Sequence, residues 1–221
     1  KILSIDGGGI RGVMPAFWLS EIERSIKRPI SHLFNLIAGT STGGIIAAGL
    51  SAPLLERKMV GVETIEGVDV PIFDKVPCSY RPQYTAFDIL ELYREQGPRI
   101  FTPHQGGGFF DGYGLRNARP FNSKYSADGR RSLFIEYFEE RTLRLSLTDL
   151  VIPAVNEEGL HCTHLFSTKR ARIDRAREDQ KLVDVLMATT AAPTFFPHHQ
   201  IKGRGVFVDG GLHLNNPAQA A

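Results

Sequence analysis

The chain opens on a short apolar run, Ile2, Leu3 and Ile5, which breaks at Asp6 into Gly7-Gly8-Gly9-Ile10-Arg11-Gly12. Apolar residues then return at helical spacing. Leu19, Ile22 and Ile26 alternate with Glu21, Glu23 and Arg24, which predicts a helix over 13–27 with Pro15 in its first turn. A second apolar run, Leu36-Ile37-Ala38, reaches Gly39-Thr40-Ser41-Thr42-Gly43 and passes into the small-residue stretch Gly44-Ile45-Ile46-Ala47-Ala48. The order is strand, turn, helix, twice over. Parallel strands joined by a helix imply an α/β sheet, and such sheets bind ligands at the carboxyl ends of their strands.

From 51 to 83 the pattern loosens. Prolines at 53, 71, 77 and 82 read as loop, while alternating Val and Ile within 59–73, around Glu66-Gly67, fit a hairpin. The stretch is expected to be a surface insertion able to lie over a site. A helix follows over 85–96, with Thr85 and Asp88 as a capping box and Ile89, Leu92 and Tyr93 as its buried stripe. Residues 101–114 are rich in Gly and Phe. They read either as acyl-chain or membrane contact or as a loop whose phenylalanines plug the core. Asp128 is placed to cap a third helix carrying Leu133, Phe134, Tyr137 and Phe138. Strands are predicted over 150–155 and 160–167, and a short helix over 181–189. The basic stretch 169–177 between them is either an attractor of anionic lipid headgroups or a solvated loop, partly neutralised by Asp174, Glu178 and Asp179. Ala191-Ala192-Pro193-Thr194-Phe195-Phe196-Pro197 is an apolar bend suited to lining a pocket. Val206-Phe207-Val208 is a last strand that runs into Asp209-Gly210-Gly211.

Composition bounds this picture. At 221 residues and 42% hydrophobic, the chain forms one domain over 1–221, with 51–84 and 101–117 as loop-rich insertions. A net charge of +2 gives no footprint for nucleic acid. Cys78 and Cys162 make no disulfide framework and no zinc-ligand pair, although two cysteines are enough for a single bridge. No apolar run approaches the roughly 20 residues that span a bilayer. The abrupt start on a strand and the stop after Pro217 lead us to expect a core cut from a longer protein at both ends, placed in the cytoplasm or at a membrane surface. The sequence carries no signal of oligomeric state.

Chemistry is concentrated in three places. Ser41 sits inside Gly39-x-Ser41-x-Gly43 between an apolar strand and a helix. This is the context in which a serine projects its oxygen from a strained turn while slim glycines let the backbone crowd. The following helix aims its N-terminus at the place where a tetrahedral oxyanion forms. The loop from Gly7 to Gly12 has three readings. As Gly7-x-Gly9-x-x-Gly12 it satisfies a dinucleotide fingerprint, but 25–29 holds neither the acidic residue nor the second strand that fingerprint needs. As a Walker loop it fails, because Val13-Met14 follow Gly12. As an oxyanion hole its successive N–H groups converge on a charge held over Ser41. Arg11 either orients a phosphate or carboxylate or serves in an ion pair. Asp209, at the end of the last strand, either approaches Ser41 or makes an Asp-Gly turn. Serine needs a base, usually histidine. A triad with His198, His199 or His213 therefore stays open beside a Ser–Asp pair, because a carboxylate is a weak base unless burial raises it. No His/Asp/Glu cluster has the spacing of metal ligands, which leaves a metal-dependent hydrolase as a distant alternative.

The order of Asp6-Gly7-Gly8-Gly9-Ile10-Arg11-Gly12, Gly39-Thr40-Ser41-Thr42-Gly43 and Asp209-Gly210-Gly211 resembles the patatin-like phospholipase family. So do the flanks Ala191 to Pro197 and Asn215-Asn216-Pro217, and the resemblance covers residues 2–217. It implies a three-layer α/β/α sandwich with a mainly parallel central sheet. It implies Ser41 as nucleophile and Asp209 as base, with the N–H groups of Gly8 and Gly9 holding the oxyanion and Gly7 and Arg11 nearby. It also implies hydrolysis of fatty-acyl esters of phospholipids or other lipids through an acyl-enzyme, without calcium or another cofactor, and peripheral membrane contact with the substrate. Two alternatives remain: a module dormant until an effector or partner acts, and a dinucleotide-binding domain.

Overall fold

A computed structural model describes residues 1–66, 68–100, 123–158 and 162–221. The predicted Gly- and Phe-rich loop at 101–114, the insertion at 101–117, and His104 and His161 lie outside the described residues. The elements run in order: β1 (Ile2–Ile5), α1 (Val13–Ile26), β2 (Leu36–Gly39), α2 (Thr42–Ser51), β3 (Pro53–Ile65), β4 (Val68–Pro82), α3 (Ala86–Ile100), α4 (Ala127–Phe138), β5 (Asp149–Asn156), β6 (Thr163–Ser167), α5 (Thr168–Ile173), α6 (Arg175–Glu178), α7 (Leu182–Thr189), β7 (His199–Ile201) and β8 (Gly205–Asp209).

Among the described residues, six strands form a sheet in the order β1-β2-β5-β8-β7, with β6 also on β5, and helices cover both of its sides. The expected α/β/α arrangement holds, but the sheet is mixed. β1, β2 and β5 are parallel, whereas β6 and β8 run antiparallel to β5, and β7 antiparallel to β8. The register explains why. β2 pairs with β5 at Ala38↔Val151 and then ends, and β8 pairs with the same strand from Ala154↔Asp209 onward. β6 occupies the other edge of β5 over Val151–Val155 partners. The two strands therefore meet end to end along one edge of β5, with Pro153 at the gap. A proline in a central strand costs a ladder bond, and the cost is least where no ladder is continued.

The core is apolar and continuous. α2 is buried over its whole length, which its small residues allow. α1 departs from expectation: Ala16, Leu19 and Ser20 are buried, while Ile22 and Ile26 of the predicted stripe face outward. Pro53–Ile65 and Val68–Pro82 pair as a long antiparallel ribbon rather than loop, with register shifts between Pro53 and Leu55 and between Met59 and Gly61. Its prolines are tolerated because a two-stranded ribbon leaves an unpaired edge on each strand. The basic stretch 169–177 forms α5 and α6 rather than a loop, and Arg172 pairs with Asp149 at 2.7 Å. Ser126, not Asp128, caps α4, accepting the Asp128 N–H at 3.1 Å. The two cysteines are unpaired, Cys78 buried and Cys162 exposed. No helix of the described residues is long and apolar enough to cross a membrane.

The capping box on α3 is reciprocal. The Thr85 hydroxyl accepts the Asp88 N–H at 3.2 Å, and the Asp88 carboxylate accepts the Thr85 N–H at 2.7 Å. Thr85→Ala is expected to cost about 1 kcal/mol. That corresponds to a fall of about 2–4 °C in Tm for a domain of this size, read by calorimetry.

Candidate active site

β2 delivers Ser41 to the surface of a cavity. Ser41 has φ 54° and ψ −117°, a left-handed backbone rare for a residue with a side chain. The neighbours explain why the turn is so tight. A Cβ on Gly39 would lie 2.1 Å from the Gly43 carbonyl oxygen, and one on Gly43 would lie 2.2 Å from the Ile5 carbonyl oxygen. Both predicted elbow glycines are thus required by backbone approaching backbone. The Ser41 N–H donates to Thr189 Oγ1 at 3.0 Å, which anchors the elbow to the end of α7.

β8 delivers the carboxylate from the opposite direction. Ser41 Oγ donates to Asp209 Oδ2 at 2.7 Å, across 168 residues of sequence. Asp209 Oδ1 accepts the Gly211 N–H at 2.7 Å, so each carboxylate oxygen has one donor. Asp209 is 6% exposed. Burial pushes its pKa above the ordinary value of 3.8, opposed by the Gly211 N–H, the Ser41 hydroxyl and the charge of Arg130.

The glycine loop after β1 forms the third side. Gly9, at φ 57°, starts a 3-10 turn over Gly9–Gly12. Gly8 and Gly9 offer N–H groups that take no acceptor among the described residues. Gly7 differs: its N–H donates to the Asn215 carbonyl at 3.1 Å, so it holds the loop in place and is not free for an oxyanion. Arg11 is exposed and donates from Nε to the Gly8 carbonyl at 3.3 Å, bracing the loop.

Gly7, Gly8, Gly9, Arg11, Ser41 and Asp209 all border one cavity of about 480 Å³, within the roughly 300–1,000 Å³ of small-molecule sites. Its other walls are mainly apolar. Ala192, Pro193, Phe195 and Phe196 come from the predicted bend, with Ile45, Tyr93, Ile100 and Leu212 beside them. The three histidines weighed as bases are elsewhere engaged. His198 pairs with Glu157 at 2.6 Å, His199 with Asp184 at 3.1 Å, and His213 lies 3.3 Å from Thr163 Oγ1. Among the described residues no group of three His, Cys, Asp or Glu is placed to hold a metal ion.

Two contributors, Thr189 and Arg130, were invisible in the sequence, and Asn215 was visible only through its flank. Thr189 and Asn215 act through backbone and hydroxyl contacts that any threonine or asparagine makes; only the Asn215-Asn216-Pro217 flank pointed toward one of them. Arg130, fully buried on α4 at the cavity wall, carries no local signal, because a lone arginine in a polar helix reads as solvated.

A family model described as "Patatin-like phospholipase" matches residues 3–221. Patatin-like protein 3 of Arabidopsis thaliana is 34% identical over 239 residues, covering 100% of this chain and 50% of that protein. A protein named cGAMP-activated phospholipase from Pseudomonas aeruginosa is 31% identical over 220 residues, covering 98% of this chain and 54% of its own length. The chain thus spans about half the length of the curated relatives it matches. The crystal structure of VipD from Legionella pneumophila aligns with 98% of this chain and 46% of its own at a TM-score of 0.41 and 15% identity.

Proposed function

The chain belongs to the patatin-like phospholipase family. From that premise we propose a serine hydrolase of fatty-acyl esters in phospholipids or related lipids, with Ser41 as nucleophile and Asp209 as base. The observation that carries this reading is the 2.7 Å contact between Ser41 Oγ and Asp209 Oδ2 at the edge of an apolar cavity.

In the proposed cycle Ser41 Oγ attacks the acyl carbonyl carbon as its proton passes to Asp209 Oδ2. The carbonyl oxygen takes the negative charge and meets the free N–H groups of Gly8 and Gly9; one such donor is worth about 2.7–4 kcal/mol of barrier. Collapse breaks the ester bond, and Asp209 returns the proton to the departing alcohol or lysolipid. The acyl chain stays on Ser41, lying along the Phe195 and Phe196 wall. Water then attacks the acyl-enzyme, giving its proton to Asp209; as the acyl–Oγ bond breaks, Asp209 returns that proton to Ser41 Oγ, and the free fatty acid leaves with Ser41 and the carboxylate restored.

Release of free fatty acid from phospholipid vesicles tests the activity, and labelling by a fluorophosphonate with peptide mapping tests the nucleophile. The label is expected on Ser41 and on no other residue. kcat/KM is expected to fall as pH drops and Asp209 gains a proton. Because burial raises that group, the midpoint is expected above 3.8. An acid midpoint near 6.5 that vanishes when a histidine is replaced would transfer the role of base to that histidine.

One observation speaks to the regulated reading. A relative is named for activation by cGAMP. Here Ser41 Oγ already donates to Asp209 Oδ2 at 2.7 Å, the contact the proposed attack uses, so the reading assigns no role to a nucleotide. Equal rates with and without a cyclic dinucleotide are the expected result.

A further inference from the structure

Arg130 has no exposed surface, yet it borders the same cavity as Ser41 and Asp209. Its guanidinium carbon lies 4.1 Å from the centre of the Phe196 ring, and one terminal nitrogen donates to the Thr190 carbonyl. Among the described residues its Nε and its other terminal nitrogen have no hydrogen-bond partner. A buried cation with idle donors is unfavourable, and an apolar side chain of similar volume would avoid that cost. Burial lowers the Arg130 pKa to about 9, so the group remains charged at neutral pH, and the charged group that favours its cationic form is Asp209.

The end of α7 shows how cation and dyad are held in common. Thr189 Oγ1 accepts the Ser41 N–H at 3.0 Å, the Thr190 carbonyl accepts Arg130, and the Ala191 carbonyl accepts the Asp209 N–H at 3.0 Å. Thr189 Oγ1 is itself tied to the Pro153 carbonyl at 2.6 Å, in the gap between β2 and β8. Nucleophile, carboxylate and cation hang from three consecutive residues.

We propose that Arg130 is a positioning residue for the base: its buried charge keeps Asp209 ionised while an acyl chain fills the cavity and displaces water. This rests on the reading of Ser41 and Asp209 as the catalytic pair. Three groups favour the Asp209 carboxylate: the Gly211 N–H on its own turn, the Ser41 hydroxyl on the elbow, and Arg130 on α4. Among the described residues no other charged group acts on it. The Ser41 donor disappears once its oxygen is acylated. In the acyl-enzyme Asp209 must again be a carboxylate to take a proton from water, and by then the cavity is at its driest. Among the described residues Arg130 is the charge that persists through that step, so its loss is expected to slow deacylation most.

The test follows the carboxyl ¹³C signal of Asp209 against pH in wild type, Arg130→Gln and Arg130→Lys. The midpoint is expected to rise by about one unit or more in Arg130→Gln and to stay near wild type in Arg130→Lys. The acid limb of vesicle hydrolysis is expected to move with it, and a burst of released lysolipid in Arg130→Gln is expected to mark slowed deacylation. An unmoved Asp209 midpoint in folded Arg130→Gln overturns the proposal, as does an equal loss of activity at every pH in both variants. Arg130→Met, which keeps a stem over Phe196, serves if Arg130→Gln does not fold. If neither neutral variant folds while Arg130→Lys keeps the wild-type profile, the cation is structural and the proposal falls. A wild-type protein that neither hydrolyses lipid nor labels at Ser41 sinks the hydrolase reading instead, and the titration still decides whether Arg130 and Asp209 are coupled.

Discussion

Ser41→Ala is expected to lower kcat for acyl-ester hydrolysis by about 10⁴-fold or more, with the fold intact. Asp209→Asn is expected to do nearly the same. The two groups share one proton across a 2.7 Å contact and act as a unit. Residues that act as a unit lose activity non-additively, so Ser41→Ala combined with Asp209→Asn should be no slower than either alone. What survives in all three comes from the donors of Gly8 and Gly9 and from binding in the cavity. Fatty-acid release measured under single-turnover conditions separates the outcomes. Activity of Ser41→Ala within tenfold of wild type would mean that another residue is the nucleophile. A double variant slowed by the full product of the two single effects would mean that serine and aspartate act independently.

Gly43→Ala is expected to be strongly destabilising. The added Cβ would lie 2.2 Å from the oxygen and 2.8 Å from the carbon of the Ile5 carbonyl. Both atoms belong to the backbone at the end of β1, which is itself paired with β2 through Ile5↔Gly39. No rotamer change relieves the clash, so α2 must move away from the sheet. The expected loss is about 3 kcal/mol or more, a fall in Tm of about 6–12 °C. Any folded fraction should be slower by about 10²-fold, because α2 begins at the residue after Ser41 and a shift of about 1 Å misplaces Oγ. Gly8→Ala is the control for stability. Its Cβ would meet nothing closer than 3.6 Å, at Arg11, and its φ of −175° suits any residue. Equal Tm values for Gly43→Ala and wild type would show that α2 is not wedged against β1 as described.

The elbow, the glycine loop and the Asp-Gly-Gly turn are legible in the sequence because each is a local problem. Glycine at 39 and 43 around a serine, between an apolar strand and a small-residue helix, has few backbone solutions. The α3 cap was legible for the same reason, since Thr85 and Asp88 answer each other within one turn. The bend from Ala191 to Pro197 read correctly as cavity wall from its apolar crowding alone. Periodicity failed where burial depends on distant neighbours. On α1 the pattern named Leu19, Ile22 and Ile26; Leu19 is buried as expected, but Ile22 and Ile26 face outward while Ala16 and Ser20 are buried.

By itself, then, the sequence determined the family and the α/β class and singled out Ser41 in its elbow, because glycine spacing and strand-ending turns are written within a few residues of each other; Asp209 as its partner rested on the family resemblance, beside three histidines that local pattern left open. It did not determine how that pair meets. Only the tertiary structure shows β8 running antiparallel to β5 and arriving head-on at the end of β2, so that Asp209 faces Ser41 over Pro153. Only the tertiary structure commits the Gly7 N–H to Asn215, leaving Gly8 and Gly9 as donors. It alone brings the buried charge of Arg130 to the same turn that holds both members of the pair. The physical reason is common to all three. Direct strand pairing, orphaned donors and buried charge depend on contacts between residues far apart in the chain, and the free energy that selects them is that of packing the whole sheet rather than of any one segment.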